Sequence, residues 1–223
     1  MKSDKLDLEK EESLISPSRV KPRLFSPKLN LGVMASGEGT NFEALVKSTR
    51  NGELDANISL LIVNNQYCNA IDRAKKLHIP FLILDHKDYK SREELDIQIV
   101  NYFRINKVEG IIMAGWMRIV TQILINEFPD RIINIHPSLL PSFRGKNAID
   151  QALKSGVRIT GCSVHLVRPE VDSGPVLIQA AVPIYPGDNK EMLTQRIHNQ
   201  EHSILSRGIS IAASNWRRKN IYG

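Results

Sequence analysis

The sequence predicts an α/β fold: a Rossmann-like, mainly parallel sheet with helices on both faces and an antiparallel C-terminal part. Three observations carry this. Short, nearly continuous apolar segments recur between residues 29 and 135, as strands buried on both faces require. Stretches with helical spacing separate them, the order that builds parallel crossovers. After about residue 156 two alternating segments follow, joined by a tight turn signal, and strands so closely connected run antiparallel.

The first strand covers residues 29–34 and ends in Ser36-Gly37-Glu38-Gly39-Thr40-Asn41. Phe42, Leu45 and Val46 then recur at helical spacing. Residues 58–63 are β-branched and leucine-rich, and a helix with Ala70, Ala74 and Leu77 follows. A third strand covers 81–84. The helix over 91–106 is capped by Ser91, with Glu94 in the capping-box position. Residues 110–113 and 132–135 form the fourth and fifth strands. Residues 163–167 and 176–182 alternate on either side of Asp172-Ser173-Gly174-Pro175. A long helix closes the chain from about Asn189, started by Asp188 with Glu191 three residues on.

The whole chain, 223 residues with 42% hydrophobic and 24% charged, suits one sizeable soluble core. Its longest apolar run, residues 110–117, is far short of the roughly 20 residues of a membrane helix. No secretory h-region opens the sequence, and its first dozen residues are rich in Lys, Asp and Glu, so the expected compartment is cytoplasmic. Residues 1–28 are polar and marked by Pro17, Pro22 and Pro27, which predicts a flexible N-terminal extension before a catalytic domain over 29–223. Cys68 and Cys162 lie far apart with no metal-ligand spacing, so neither a zinc site nor a disulfide framework is expected. The net charge of +6 is scattered apart from short groups such as Arg217-Arg218-Lys219, without interleaved aromatics. A nucleic-acid surface is therefore not expected; a basic protein that attracts anionic small molecules explains the charge.

Two motifs carry chemistry. Ser36 to Asn41 sits between a strand and a helix, where free N–H groups and the helix dipole favour an anion. No Gly-Lys-[Ser/Thr] follows, and Phe42 stands where a dinucleotide fingerprint has its third glycine. A single phosphate, as on a ribose 5-phosphate, suits it, although a plain glycine-containing turn looks the same. The second motif is Asn134-Ile135-His136-Pro137-Ser138-Leu139-Leu140-Pro141. Asn134 and His136, two residues apart on one strand, project to the same side. At the carboxyl end of a parallel strand they face the usual ligand crevice. An amide can steady a developing oxyanion while the imidazole moves a proton. No serine or cysteine is paired with a base, which favours direct attack by a substrate nucleophile over an acyl-enzyme. Asp172 is either turn chemistry or the partner of His136, and His165 reads as structural or as a support behind the site residues. Glu201 steps with Leu193, Ile197 and Leu205 on an apolar stripe, where a carboxylate needs either a ligand or a buried partner.

These residues resemble the phosphoribosylglycinamide formyltransferases, folate-dependent enzymes that formylate glycinamide ribonucleotide in purine synthesis. The likeness spans about Leu29 to Trp216. It rests on Ser36 to Asn41, Ala114-Gly115-Trp116-Met117-Arg118, Asn134 to Pro141, Gly161-Cys162-Ser163-Val164-His165 and Asp172 to Pro175, in the family's order and spacing. The resemblance implies the formyltransferase fold, with 10-formyltetrahydrofolate as co-substrate and no metal. It implies that Gly39, Thr40, Asn41 and Glu201 bind the ribonucleotide. Arg92, Met117, Arg118, Ile119, Val120 and Asn134 would bind the folate. Asn134 would hold the formyl oxygen, His136 would be the acid, and Asp172 would favour its protonated form. Small-molecule substrates, no membrane, and a monomer or homodimer complete the expectation. Ser142-Phe143-Arg144-Gly145-Lys146-Asn147-Ala148 departs from a common Pro-Gly form of this enzyme, and its Arg-Gly is similar to methionyl-tRNA formyltransferases.

Three alternatives stay open. Formylation of another amine, on initiator tRNA or an amino sugar, would in the tRNA case normally come with a further C-terminal domain. A formyltetrahydrofolate deformylase would carry a regulatory domain in front and a histidine in place of Pro137. A non-catalytic folate- or nucleotide-binding module would bind without turnover.

Overall fold

The computed structural model describes residues 14–21 and 23–216. Eight strands form one sheet in the order β1-β8-β7-β6-β5-β2-β3-β4. In chain order these are β1 (Ile15–Ser16), β2 (Leu29–Ala35), β3 (Ala56–Val63), β4 (Phe81–Ile83), β5 (Gly110–Met113), β6 (Ile132–His136), β7 (Ile159–Leu166) and β8 (Val176–Pro183). Six helices accompany them: α1 (Thr40–Arg50), α2 (Ala70–Lys76), α3 (Arg92–Ile105), α4 (Gln122–Glu127), α5 (Ala148–Ser155) and α6 (Lys190–Trp216). The pairings β2–β3, β2–β5, β3–β4 and β5–β6 are parallel, whereas β6–β7, β7–β8 and β1–β8 are antiparallel. The expected mainly parallel sheet with an antiparallel C-terminal part is the fold observed.

Strand periodicity splits the core in two. Val33, Val63, Ile112, Ile133 and Val164 face one cluster with Phe42 of α1, Ala70 of α2 and Ile197 and Ile209 of α6. Met34, Ile62, Ile111, Met113 and Ile132 face the other, with Ile99 and Phe103 of α3 and Leu124 of α4. From Leu31, Leu60 and Gly110 onward β2, β3 and β5 are buried on both faces and carry no polar side chains, which is why they read as apolar runs.

Three local details differ from expectation. The helices α4 and α5 were not anticipated; they have 6 and 8 residues, too few turns to display a period in the sequence. The last helix is capped by Asn189, whose Oδ1 accepts from the Met192 N–H at 2.9 Å. Asp188 is occupied instead by Arg196 and the Tyr185 N–H, at 2.8 and 2.7 Å. The capping box at Ser91 is half formed: Ser91 Oγ accepts from Glu94 N–H, but Glu94 reaches back to the Lys90 N–H.

The expected flexible extension is attached in part. β1 adds antiparallel to the free edge of β8 through Ile15 and Ser16, satisfying backbone groups that an edge strand leaves open. Val20 and Phe25 pack on the first core cluster, and Phe25 N–H donates to Asp55 Oδ2 at 2.7 Å. Arg207 of α6 donates to the carbonyls of Pro17 and Ser18 at 3.2 and 2.7 Å. Residues 1–13 and Pro22, like Arg217-Arg218-Lys219, lie outside the described residues. A two-residue strand and two isolated apolar contacts leave no period for a sequence pattern to reveal.

Phe103 is fully buried on α3 and meets Phe128 edge to face, with centroids 6.4 Å apart. Phe103→Ala should lower stability by about 3–5 kcal/mol, read from urea unfolding. A loss under about 1 kcal/mol would show that this second cluster is not a load on the fold.

Candidate active site

Three neighbouring parallel strands end at the same edge of the sheet. Met34 of β2 pairs with Met113 of β5, and Met113 pairs with Asn134 of β6. From β2 the chain builds outward through β3 and β4, then crosses back to β5 on the other side. That reversal opens a crevice at the carboxyl ends of β2 and β5, where ligands of open α/β sheets bind. The Ser36–Asn41 turn, the segment after Met113 and the Asn134–His136 pair all emerge there.

Asn134 and His136 alternate with Ile133 and Ile135, which point into the first core cluster, so both polar side chains fall on the opposite face. Asp172 arrives from the β7–β8 connection and joins them. Its Oδ2 lies 3.3 Å from His136 Nδ1 and accepts the Gly145 N–H at 2.8 Å. Its Oδ1 lies 3.4 Å from Asn134 Nδ2 and 3.5 Å from His165 Nε2. Asp172 sits at φ 50°, a left-handed conformation that aspartate tolerates better than most side chains. The turn is drawn close by Gly174, where any Cβ would overlap the Leu166 carbonyl oxygen. Burial pushes the Asp172 carboxyl up, but the His165 hydrogen bond, the Gly145 N–H and the His136 charge outweigh it. The net effect holds it below the ordinary carboxylate range, so it is an anion at neutral pH.

His136 is buried, and its Nε2 lies 2.8 Å from the Phe143 carbonyl oxygen. Both ring nitrogens thus face oxygen acceptors, and both bonds form together only when each nitrogen carries a proton. The nearby hydroxyls do not engage the ring. Ser138 Oγ donates to the Ser142 carbonyl at 2.5 Å, and Ser163 Oγ donates to the Ser138 carbonyl at 2.6 Å. Burial pushes the Cys162 thiol up, away from thiolate character. Among the described residues of this site, no serine or cysteine is paired with a base.

His165, which the sequence reads as structural or as a support behind the site residues, stands next to Asn134. It pairs directly opposite Asn134 across β6–β7, with its Nε2 3.1 Å from the Asn134 amide nitrogen. Its Nδ1 lies 2.9 Å from the Leu166 carbonyl. Only the register of β7 against β6 could have assigned it. The departing segment 142–147 likewise contributes through its backbone, the Phe143 carbonyl and the Gly145 N–H, so the identity of its side chains says little about this role.

The Ser36–Asn41 turn links β2 to α1. Gly39 precedes α1 at φ 73°, and a Cβ there would stand 2.7 Å from Ala70 Cα, so only glycine lets α2 approach. Gly39 supplies no side-chain cap, which leaves the leading N–H groups of α1 directed out of the helix. Thr40 is half-buried, and buried Asn41 donates Nδ2 to Glu201 Oε2 at 2.8 Å. Asn41 Oδ1 is buried with no hydrogen-bond partner, an open acceptor at this turn. Glu201 lies on the buried face of α6 with Leu193, Ile197 and Leu205, as its stripe predicted. His198 Nε2 lies 3.9 Å from Glu201 Oε2, and a groove of about 520 Å³ runs past His198 and His202 along α6.

The segment after β5 presents Met117 and Ile119 at 73% and 51% exposure while Trp116 and Val120 are buried in the second core cluster. Val120 is thus an anchor of the segment within the protein. The indole N–H of Trp116 and Arg118 Nε are buried here without hydrogen-bond partners. Arg92 opens α3 and is exposed. No group of three His, Cys, Asp or Glu able to hold a metal occurs among the described residues.

Burial pushes the Glu201 carboxyl up to about 7, opposed only by the Asn41 hydrogen bond. The folded value lies above the unfolded one, so the folded state binds more protons between them. Stability therefore falls as pH rises from about 4.5 to about 7, and the full penalty of an ionised buried carboxylate, about 3 kcal/mol, applies above that. Glu201→Gln removes the titration and keeps an acceptor for Asn41. The variant should melt higher than the parent at pH 8 and close to it at pH 4.5, in paired thermal scans. Equal melting temperatures at both pH values would contradict a costly ionised Glu201.

The formyl transferase family profile matches residues 29–209. The chain is 41% identical over 206 residues to a trifunctional purine biosynthetic protein adenosine-3 from Drosophila pseudoobscura pseudoobscura, covering 92% of this chain and 15% of that protein. It is 39% identical over 170 residues to a phosphoribosylglycinamide formyltransferase of Bacillus subtilis, covering 76% and 87%. A crystal structure of glycinamide ribonucleotide transformylase 1 from Symbiobacterium toebii superposes with a TM-score of 0.82 at 37% identity, covering 84% and 88%. A phosphoribosylglycinamide formyltransferase from Bacillus halodurans gives 0.80 at 36%, covering 86% and 98%. The chain spans only 15–21% of the length of the trifunctional relatives of fly and chicken. With a profile that runs from β2 into α6, the chain belongs to the formyl transferase family.

Proposed function

We propose that the protein transfers the formyl group of 10-formyltetrahydrofolate to the amine of glycinamide ribonucleotide, a step of purine synthesis, and leaves tetrahydrofolate. The observation that carries this is Asp172, one anionic carboxylate within reach of both Asn134 and His136 in a site without a protein nucleophile. The relatives named for this reaction support the choice of acceptor.

The folate co-substrate supplies an activated formyl group on a nitrogen that can leave. Gly39, Thr40 and Asn41 hold the ribonucleotide phosphate on the N–H groups that open α1, and Glu201 steadies Asn41 beneath it. Met117 and Ile119 lie along the pterin, Arg118 and the backbone of the segment meet its polar edge, Val120 seats the segment in the core, and Arg92 attracts the acidic tail. The substrate amine attacks the formyl carbon directly. Asn134 donates its amide N–H to the formyl oxygen as negative charge gathers there. His136 gives the proton of Nε2 to the departing folate nitrogen as the carbon–nitrogen bond breaks, and the attacking amine sheds its extra proton. Asp172 holds Nδ1–H and orients the ring. The Phe143 carbonyl occupies Nε2 until substrate takes its place. The cytoplasm is the compartment this role fits; none of the described helices is long and apolar enough to cross a membrane.

One incubation tests the acceptor: 10-formyltetrahydrofolate with glycinamide ribonucleotide, with initiator methionyl-tRNA, or with no acceptor. Tetrahydrofolate should appear only with the ribonucleotide. Release only with the tRNA would move the chain to the methionyl-tRNA enzymes, and equal release without acceptor would make it a deformylase. His136→Ala should lower turnover by roughly 10²–10⁴-fold while leaving ribonucleotide binding intact. Unchanged turnover would remove His136 from the chemistry.

A further inference from the structure

The segment from Gly115 to Thr121 is fastened at both ends by side chains from elsewhere in the sheet and helices. At its start, Ser36 N–H donates to the Gly115 carbonyl at 3.0 Å, and Ser36 Oγ accepts the Met117 N–H at 2.9 Å. At its end, Asp96 Oδ2 of α3 accepts the Thr121 N–H at 2.5 Å. Between the two clasps Trp116 and Val120 are buried, while Met117 and Ile119 are held out toward solvent.

We infer that Ser36 and Asp96 are positioning residues for the folate, Ser36 setting the phosphate turn and the Met117–Val120 segment as one unit and Asp96 fixing the far end of that segment. The inference rests on the reading of Met117 to Val120 as the folate segment. Three physical points carry it. A loop that displays two large apolar side chains would ordinarily fold them inward, and fixing both of its ends prevents that. A preformed loop also spares the ordering cost at binding, which raises affinity without any new contact. Finally, Asp96 is 3% exposed on α3, an expensive place for a carboxyl unless its acceptor is used. Burial pushes that carboxyl up, and the Thr121 N–H and hydroxyl with the Arg118 charge only partly offset it.

The two clasps differ in what they should affect. Ser36 immediately precedes the Gly37–Asn41 turn, whereas Asp96 touches only the far end of the other segment. Ser36→Ala should therefore raise KM for both 10-formyltetrahydrofolate and glycinamide ribonucleotide. Asp96→Ala should raise KM for the folate alone. We expect about tenfold in each case, the size of one lost hydrogen bond to a well-placed acceptor, with kcat changed far less. Ser36→Thr and Asp96→Asn keep an acceptor oxygen and should restore both values.

Steady-state kinetics with each substrate varied, on the full chain and these four variants, decides the matter. If Asp96→Ala does not fold, the half-exposed Ser36 pair and Asp96→Asn still test it, the latter by retaining the parental folate KM. A lower melting temperature with kcat reduced and both KM values unchanged would mean that the clasps serve stability only, and would overturn the inference. Failure of the unaltered protein to use the folate would instead overturn the proposed function, and the inference with it.

Discussion

Everything at the site depends on the side-by-side pairing of β6, β5 and β2 as parallel strands in one register. Because Met34, Met113 and Asn134 lie level across the sheet, the three loops that follow must leave from one edge. Hydrogen bonds between strands about 4.8 Å apart leave no freedom in that spacing. The Ser36–Asn41 turn, the Gly115–Thr121 segment and the Asn134–His136 pair are thereby set in a row before any side chain contributes. Antiparallel β7 then closes the row by placing His165 opposite Asn134, and its return into β8 supplies Asp172.

Two buried carboxylates near this edge show how environment separates function from strain. Asp172 is surrounded by His136, His165, the Asn134 amide and the Gly145 N–H, and this company keeps it charged despite burial. Glu201 has the Asn41 amide as its hydrogen-bond donor and is pushed toward the neutral acid. One is a fixed anion suited to holding a proton on an imidazole. The other is pushed up to about 7 beneath the Ser36–Asn41 turn. Asp96 is a third case, a buried carboxyl bonded to Thr121 at the end of the Gly115–Thr121 loop.

The unpaired polar atoms tell the same story from the opposite side. Asn41 Oδ1 in the Ser36–Asn41 turn, and the indole N–H of Trp116 with Arg118 Nε in the apolar segment, are buried without partners. Well-folded interiors rarely tolerate such groups unless water or a ligand completes them.

The sequence by itself determined the elements and the side of each strand on which Asn134 and His136 stand. Apolar runs, helical spacing and the two-residue alternation are local properties, and a local pattern suffices to read them. It also located the Gly39 turn, since strand, glycines and helix are contiguous. Short elements escaped: α4, α5 and the two-residue β1 span too few turns or residues to show a period. Only the tertiary structure decided that Asp172 meets His136, that His165 lies beside Asn134, and that Ser36 and Asp96 hold Met117 and Thr121. Those contacts join residues 25 to 81 positions apart, and nothing local encodes which of many possible registers brings them together. The pairing of strands chooses among them, because it alone is fixed by the packing of the whole sheet.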